Sequence, residues 1–535
     1  MILSSLALTL GLSALAAAAP TPSNSTLSTT DFPTIDLGYA IHQAISYNES
    51  YDSYTFSNIR FAASPTGSLR FAAPQAPLEN RTAVQDGSIG GTCPQSQPAY
   101  AGSDLTQKVG VSEDCLFLDV IVPRKALEGE ITDVPVLVWF FGGGYVLGSK
   151  TQHGDPINFL VDSPSPVIYV APNYRLGAFG WLGGPSFTLS DNTVPNAGLY
   201  DQRFALKWVQ DKIHLFGGSK DEVTVMGGSA GAGSIMHQIS AYGGTGEKLF
   251  KRAIPIGPGF FPIGGHSGAE TSYLSLQTAT NCTDQGIECL RAIPTEQLQL
   301  INKQIISDVA PPGFGFGPSV DGDLVPDVPS YLYAQGRIQK DVEILVMDDI
   351  NEGASFVGNG TTVSANHINS IFPGISNASI ADLLALYPPP SNSTPYKTEQ
   401  ERLIKVTADS GFDCNRYAMS AALPNSTYNF VSTILPGTHG TWSALLFNEV
   451  PGADAVVDRD ILLATRRFVM NFVVGGTPNE LQGSNSTGVG PEHVMWPTFG
   501  SEGLGLVVSG TNMTVVDASG DKEVCEWWGK ALYLS

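Results

Sequence analysis

The chain is short of positive charge. Its 28 Lys and Arg face 50 Asp and Glu, a formal net charge of −22 at pH 7. A surface this acidic repels phosphate backbones and anionic lipid heads, which argues against nucleic-acid binding. Neutral or cationic substrates suit it better, and the acidity also keeps a secreted protein soluble. Long apolar runs are missing after the N-terminus, so no later stretch is suited to span a membrane. No internal repeat and no heptad run occurs. Cysteines number only six in 535 residues, and no Cys/His spacing has the form of a zinc site. No metal and no organic cofactor is implied.

What is present begins with a leader. Leu3, Leu6, Leu8, Leu10, Leu12 and Leu15 form an apolar run, followed by Ala16 to Ala19. Small residues at that place suit a signal peptidase, although no Lys or Arg precedes the run. Residues 1–19 are expected to be a signal peptide, and residues 20–535 a single catalytic domain. Thr21 to Thr30 reads as a loose leader of the mature chain. The C-terminus is not a KDEL-type retention signal.

Six cysteines then fit three disulfides in an oxidising compartment. They fall in sequence as Cys93 and Cys115, Cys282 and Cys289, Cys414 and Cys525, but six cysteines allow fifteen connectivities. Asn24, Asn48, Asn80, Asn281, Asn359, Asn377, Asn392, Asn425, Asn485 and Asn512 each open an Asn-x-Ser/Thr triplet. Behind a leader, these make an extracellular glycoprotein the expectation.

Hydrophobic residues make up 42% of the chain, enough for a large core. Near-continuous apolar runs such as Pro135 to Phe140, Val167 to Ala171, Glu222 to Met226 and Val342 to Met347 read as buried parallel strands. Helical spacing appears over Leu199–Phe216, and Ala230–Tyr242 can form another helix. This alternation predicts an α/β fold with a large, mostly parallel sheet and helices on both faces. Sites in such sheets form at the carboxyl ends of the strands.

Gly227-Gly228-Ser229-Ala230-Gly231 is a G-x-S-x-G segment between a predicted strand and a predicted helix. A sharp turn there leaves no room for flanking Cβ atoms and lifts the serine hydroxyl above the sheet. The helix N-terminus behind it favours developing negative charge. A second glycine run, Gly142-Gly143-Gly144, follows the strand ending at Phe140. The N–H groups of Gly143, Gly144 and Ala230 can form a three-donor oxyanion hole.

These segments stand among others in a familiar order: Gly67 to Phe71, Ser112 to Val120, Asn173 to Gly180, and Tyr200 to Val209 with its Asp201-Gln202-Arg203. The sequence resembles the type-B carboxylesterase/lipase family, the cholinesterase-like branch of the α/β-hydrolases. The likeness covers nearly all of the mature chain and is densest from Arg70 to Gly233. It implies a Glu in an E-G-x-x-F pattern as the triad acid, here Glu352, and a His in H-G as the base, here His439. Asp348 and Asp349 are rivals for the acid, and His493 for the base. Ser229, Glu352 and His439 follow the α/β-hydrolase order. The resemblance also implies the disulfides Cys93–Cys115, Cys282–Cys289 and Cys414–Cys525. Two buried ion pairs are implied as well, Arg70 with Glu113 and Arg175 with Asp201.

Three positions depart from the family pattern. Gly228 stands where Glu usually precedes the serine. Phe141 replaces the frequent His before the glycine run. Ile256-Gly257-Pro258-Gly259 lacks the serine of Q-S-G. Substrate size is read from two segments. The loop from Cys93 to Cys115 is short and polar where lipase members carry an apolar lid. Phe314 and Phe316 precede a segment like the family's acyl pocket. The expected activity is hydrolysis of neutral short-to-medium esters through an acyl-enzyme, the partner being a small-molecule ester. A lipase, an acyltransferase or lactonase, and a non-catalytic binding protein on the same fold are the competing readings.

Overall fold

The structure, a computed structural model, describes residues 32–101, 111–152, 154–262, 267–358, 360–447, 457–479 and 494–534. The leader at 1–19, the sequon residues Asn24, Asn359 and Asn485, and the rival base His493 lie outside them.

Eleven of the described strands share one sheet. In chain order they are β1 (Ser46–Asn48), β2 (Ser53–Arg60), β3 (Phe117–Pro123), β4 (Val134–Phe140), β5 (Ile168–Pro172) and β6 (Gly218–Gly228). There follow β7 (Arg252–Ile256), β8 (Glu343–Asp349), β9 (Thr427–Ser432), β10 (Leu504–Val508) and β11 (Met513–Asp517). Their order across the sheet is β11-β10-β9-β8-β7-β6-β4-β5-β3-β2-β1. From β5 through β10 neighbouring strands run parallel. Antiparallel strands finish both edges. A small separate sheet joins Thr34–Asp36, Ala40–Gln43 and Asn80–Gln85.

Alternation along β4 shows why its run is apolar throughout. Val136, Val138 and Phe140 enter one core with Leu206 and Val209 of α1 (Ala197–Lys212) and Ile235 and Ile239 of α2 (Ala230–Ser240). Leu137 and Trp139 enter a second core with Phe468, Val469 and Phe472 of α3 (Arg459–Gly475). A strand covered on both faces has no polar side to show. Helix ends fall slightly inside the expected spans. Beyond α1, Ile213–Phe216 tightens into a 3₁₀ turn closed by Gly217 at φ 79°. Beyond α2, Tyr242 and Gly243 adopt positive φ and break the helix. Among the described residues, no helix is long and apolar enough to cross a membrane.

The three expected disulfides are present, with Cα separations of 5.0, 5.6 and 4.8 Å. Cys414–Cys525 ties the C-terminal helix Lys522–Gly529 into a third core built from Phe372, Leu383, Trp527 and Trp528. Both expected ion pairs are buried and two-pronged. Arg70 grips Glu113 at 2.8 and 2.5 Å, and Arg175 grips Asp201 at 2.8 Å through two nitrogens. Asn80, Asn281, Asn377, Asn392, Asn425 and Asn512 are exposed, and Asn48 is half-buried.

From β4 the chain steps one way to β5 and the other way to β6. This reversal opens a crevice at the carboxyl ends of β4 and β6, the usual place for a ligand in an open sheet. The glycine run and Ser229 both sit there.

Candidate active site

Ser229 occupies the single residue between β6 and α2. Its φ and ψ are 57° and −125°, a strained backbone for a residue with a side chain. The turn is too tight for its neighbours to carry one. A Cβ on Gly231 would lie 2.1 Å from the Phe140 carbonyl oxygen, and one on Gly227 2.8 Å from the Gly231 carbonyl carbon. Besides the helical bond from Gly233 N–H, two hydrogen bonds to the next strand's end fix the serine backbone. Its N–H donates to Ile256 O at 2.8 Å, and its carbonyl accepts from Gly259 N–H at 3.0 Å.

Glu352 opens the 3₁₀ turn Glu352–Phe356 just after β8, and His439 lies on the loop after β9. The two loops are stitched together where Asn351 N–H donates to Gly437 O at 2.8 Å. His439 Nε2 lies 2.7 Å from Ser229 Oγ. Its Nδ1 bonds to Glu352 Oε2. Glu352 Oε1 accepts the Asp349 N–H at 2.8 Å. A carboxylate accepts only, so Nδ1 carries the proton and Nε2 is left as an acceptor for the serine hydroxyl. The acidic rivals are engaged elsewhere. Asp348 pairs with Arg416 at 2.8 Å, and Asp349 accepts the Trp442 N–H at 3.2 Å.

Burial acts on both ends of this chain. Glu352 is fully buried, and the lost solvation pushes its carboxyl upward. The same effect lowers the His439 imidazole to about 4, with the charge of Asp349 pulling the other way. A lowered value keeps the ring neutral, and so able to take a proton, well into the acid range. The acid limb of kcat/KM is therefore expected below the ordinary histidine value of about 6.5. A pH profile of ester hydrolysis checks this, and a limb at or above about pH 7 would contradict it.

Gly143 and Gly144 take φ values of 116° and 61° on the loop facing the serine. A Cβ on Gly142 would stand 2.7 Å from Ser229 Cβ, so the loop presses on the serine turn. Among the described residues, the N–H groups of Gly143, Gly144 and Ala230 have no hydrogen-bond partner. Phe314 packs directly over Gly144, where an added Cβ would meet its ring at 2.1 Å.

Phe314, Phe316, Ser229 and Ala230 all line one cavity of about 750 Å³. Residues that no motif pointed to complete its walls, among them Tyr145, Trp181, Phe260, Phe261 and Phe412. Phe356, the final position of E-G-x-x-F, also lines it. Phe412 and Phe356 pack on the His439 ring with centroids 4.6 and 5.0 Å away. Of the polar loop after Cys93, residues 94–101 are described. Tyr100 there donates to Gly313 O at 2.9 Å and packs edge-on to Phe314.

Each departure from the family pattern has a local reason. A Cβ on Gly228 would lie 2.2 Å from the Trp442 ring, which fills the space that a glutamate would need. Phe141 stacks on Tyr174 at 4.2 Å, and Tyr174 Oη donates to its carbonyl. At Gly257, φ is 53°, and a Cβ would come within 3.0 Å of Glu352 Oε1.

The model of the carboxylesterase family matches residues 42–528. The chain is 33% identical to the carboxylesterase patB of Penicillium expansum over 552 residues, covering 93% of this chain and 96% of that one. It is 31% identical to a secreted lipase of Arthroderma benhamiae, covering 84% and 89%. The crystal structure of Aspergillus niger EstA superposes with a TM-score of 0.78 at 27% identity, covering 95% of this chain and all of that one. The chain belongs to the carboxylesterase family. It is a serine carboxylic ester hydrolase with the α/β-hydrolase fold.

Proposed function

We propose that the protein is a secreted esterase of neutral short-to-medium esters, working through Ser229, His439 and Glu352. The observation that carries this reading is the unbroken hydrogen-bonded run from Ser229 Oγ through His439 to Glu352 at the switch-point crevice. His439 Nε2 takes the hydroxyl proton as Oγ attacks the ester carbonyl. Glu352 orients the ring and stabilises the imidazolium. The N–H groups of Gly143, Gly144 and Ala230 receive the oxyanion, each worth on the order of 10²–10³ in rate. His439 then protonates the leaving alcohol, and water, activated in turn by His439, cleaves the acyl-enzyme.

Phe314 and Phe316 bound the acyl chain. Residues 1–19 act as a cleaved leader, and residues 20–535 as one catalytic domain. The exposed sequon asparagines carry glycan. A lipase reading draws support from the mostly apolar cavity and from the relative named a secreted lipase.

Chain length separates the two. Purified protein is expected to cleave p-nitrophenyl acetate and butyrate faster than palmitate. A rate on palmitate that leads the series and rises sharply at an oil–water interface would favour the lipase. Mass spectrometry after fluorophosphonate labelling is expected to place the adduct on Ser229. An unlabelled, inert protein would return the binding-protein reading.

A further inference from the structure

Helix α2 begins with the oxyanion donor Ala230 and carries His237 two turns further on. His237 is a buried residue that lines the same cavity. It takes no part in the triad. Its Nδ1 lies 2.8 Å from the carbonyl of Gly233, one turn back on its own helix. A carbonyl only accepts, so Nδ1 holds the proton. Nε2 is then a bare acceptor on the side of the ring turned away from that helix carbonyl. It has no hydrogen-bond partner among the described residues. Burial holds the imidazole down at about 4, so this lone pair is present at neutral pH.

Two more buried polar atoms, on residues that line the cavity, are also without a hydrogen-bond partner among the described residues, Trp181 Nε1 and Ser319 Oγ. Aromatic rings pack against two of these residues. Phe260 meets the His237 ring edge-on at 4.7 Å, and Tyr145 meets Trp181 at 4.8 Å. An all-hydrocarbon chain in this cavity would leave an acceptor and a donor dry. Buried polar groups are almost always satisfied, by protein, water or ligand.

We propose that this wall is a hydroxyl-recognition subsite, with His237 Nε2 accepting from a hydroxyl on the substrate chain that enters the cavity. The preferred substrates are then hydroxylated esters rather than plain alkyl ones. Trp181 Nε1 and Ser319 Oγ offer further hydrogen bonds to oxygens of such a chain. The inference rests on the ester-hydrolase reading and narrows its substrate class.

The test uses two matched pairs on the full glycosylated protein. Ethyl butyrate against ethyl β-hydroxybutyrate probes the acyl side, and butyl acetate against ω-hydroxybutyl acetate the alcohol side. Rates are referred to active sites titrated with a fluorophosphonate, so misfolded protein drops out. Wild type is expected to favour the hydroxylated member of at least one pair by about tenfold or more in kcat/KM. In His237→Phe that ratio should fall to near one. His237→Gln, which keeps an acceptor, should restore part of it. Equal rates within both pairs for wild type, or a preference that survives His237→Phe, would overturn the subsite while leaving ester hydrolysis standing. No turnover of any of these esters would overturn both.

Discussion

Replacing Ser229 with Ala is expected to lower kcat on any ester by on the order of 10⁴–10⁶ while the protein stays folded. The hydroxyl is the atom that would bond to the acyl carbon, and Nε2 of His439 at 2.7 Å is the group placed to deprotonate it. Nothing else at the strand–helix turn depends on Oγ. The backbone bonds to Ile256 and Gly259 remain, and Ala tolerates the positive φ no worse than Ser does. Thermal unfolding should therefore move by a few degrees at most. Any residual rate would come from the oxyanion donors and substrate binding. Kinetics with p-nitrophenyl butyrate decide the matter. A folded variant retaining more than about one hundredth of the activity would remove Ser229 from the mechanism.

The second large effect is expected at Glu352→Gln, a loss on the order of 10³–10⁴ in kcat/KM. The reason is a count of donors. Two N–H groups converge on this carboxylate, that of Asp349 on one oxygen and Nδ1–H of His439 on the other. A carboxylate accepts both, whereas an amide has one oxygen and one NH₂. If Gln keeps the Asp349 bond, its NH₂ faces Nδ1 and drives the proton to Nε2, which can no longer take one from Ser229. If it keeps His439, a buried N–H is left facing another donor, and the charge that would stabilise the imidazolium is gone. Asp349→Asn is the control. Its side-chain oxygen can still accept the Trp442 N–H, so its loss should stay within about tenfold. Equal losses in the two variants would sink the assignment of Glu352 as the acid.

Much of this was legible because the chemistry sits on local signals. A serine flanked by glycines and a glycine run after an apolar strand announce themselves within a few residues, whereas Glu352 and His439 are singled out from their acidic and histidine neighbours only through the family resemblance. The strands read from composition alone match β4, β5, β6 and β8 to within a few residues at either end, the widest gap being four at the start of β6. The antiparallel edges were not foreseen, since a strand's direction depends on which strand it pairs with and not on its own residues. The cavity was hidden for another reason. Tyr145, Trp181, His237, Phe260 and Phe412 come from separate segments, and only the packing of helices over the crevice brings them together. His237 reads in the sequence like any core histidine, and only the structure shows its second nitrogen without a partner among the described residues.

Trp442 has consequences for how such a sequence can change. It lies three residues after His439, and its ring occupies the space beside the residue before Ser229. Positions 228 and 442 therefore form a lock, and neither can be exchanged alone. A bulkier residue at 228 requires a smaller one at 442, and a smaller residue at 442 opens a void beside the Ser229 turn. Transplanting the relatives' glutamate into this chain is thus a two-site operation.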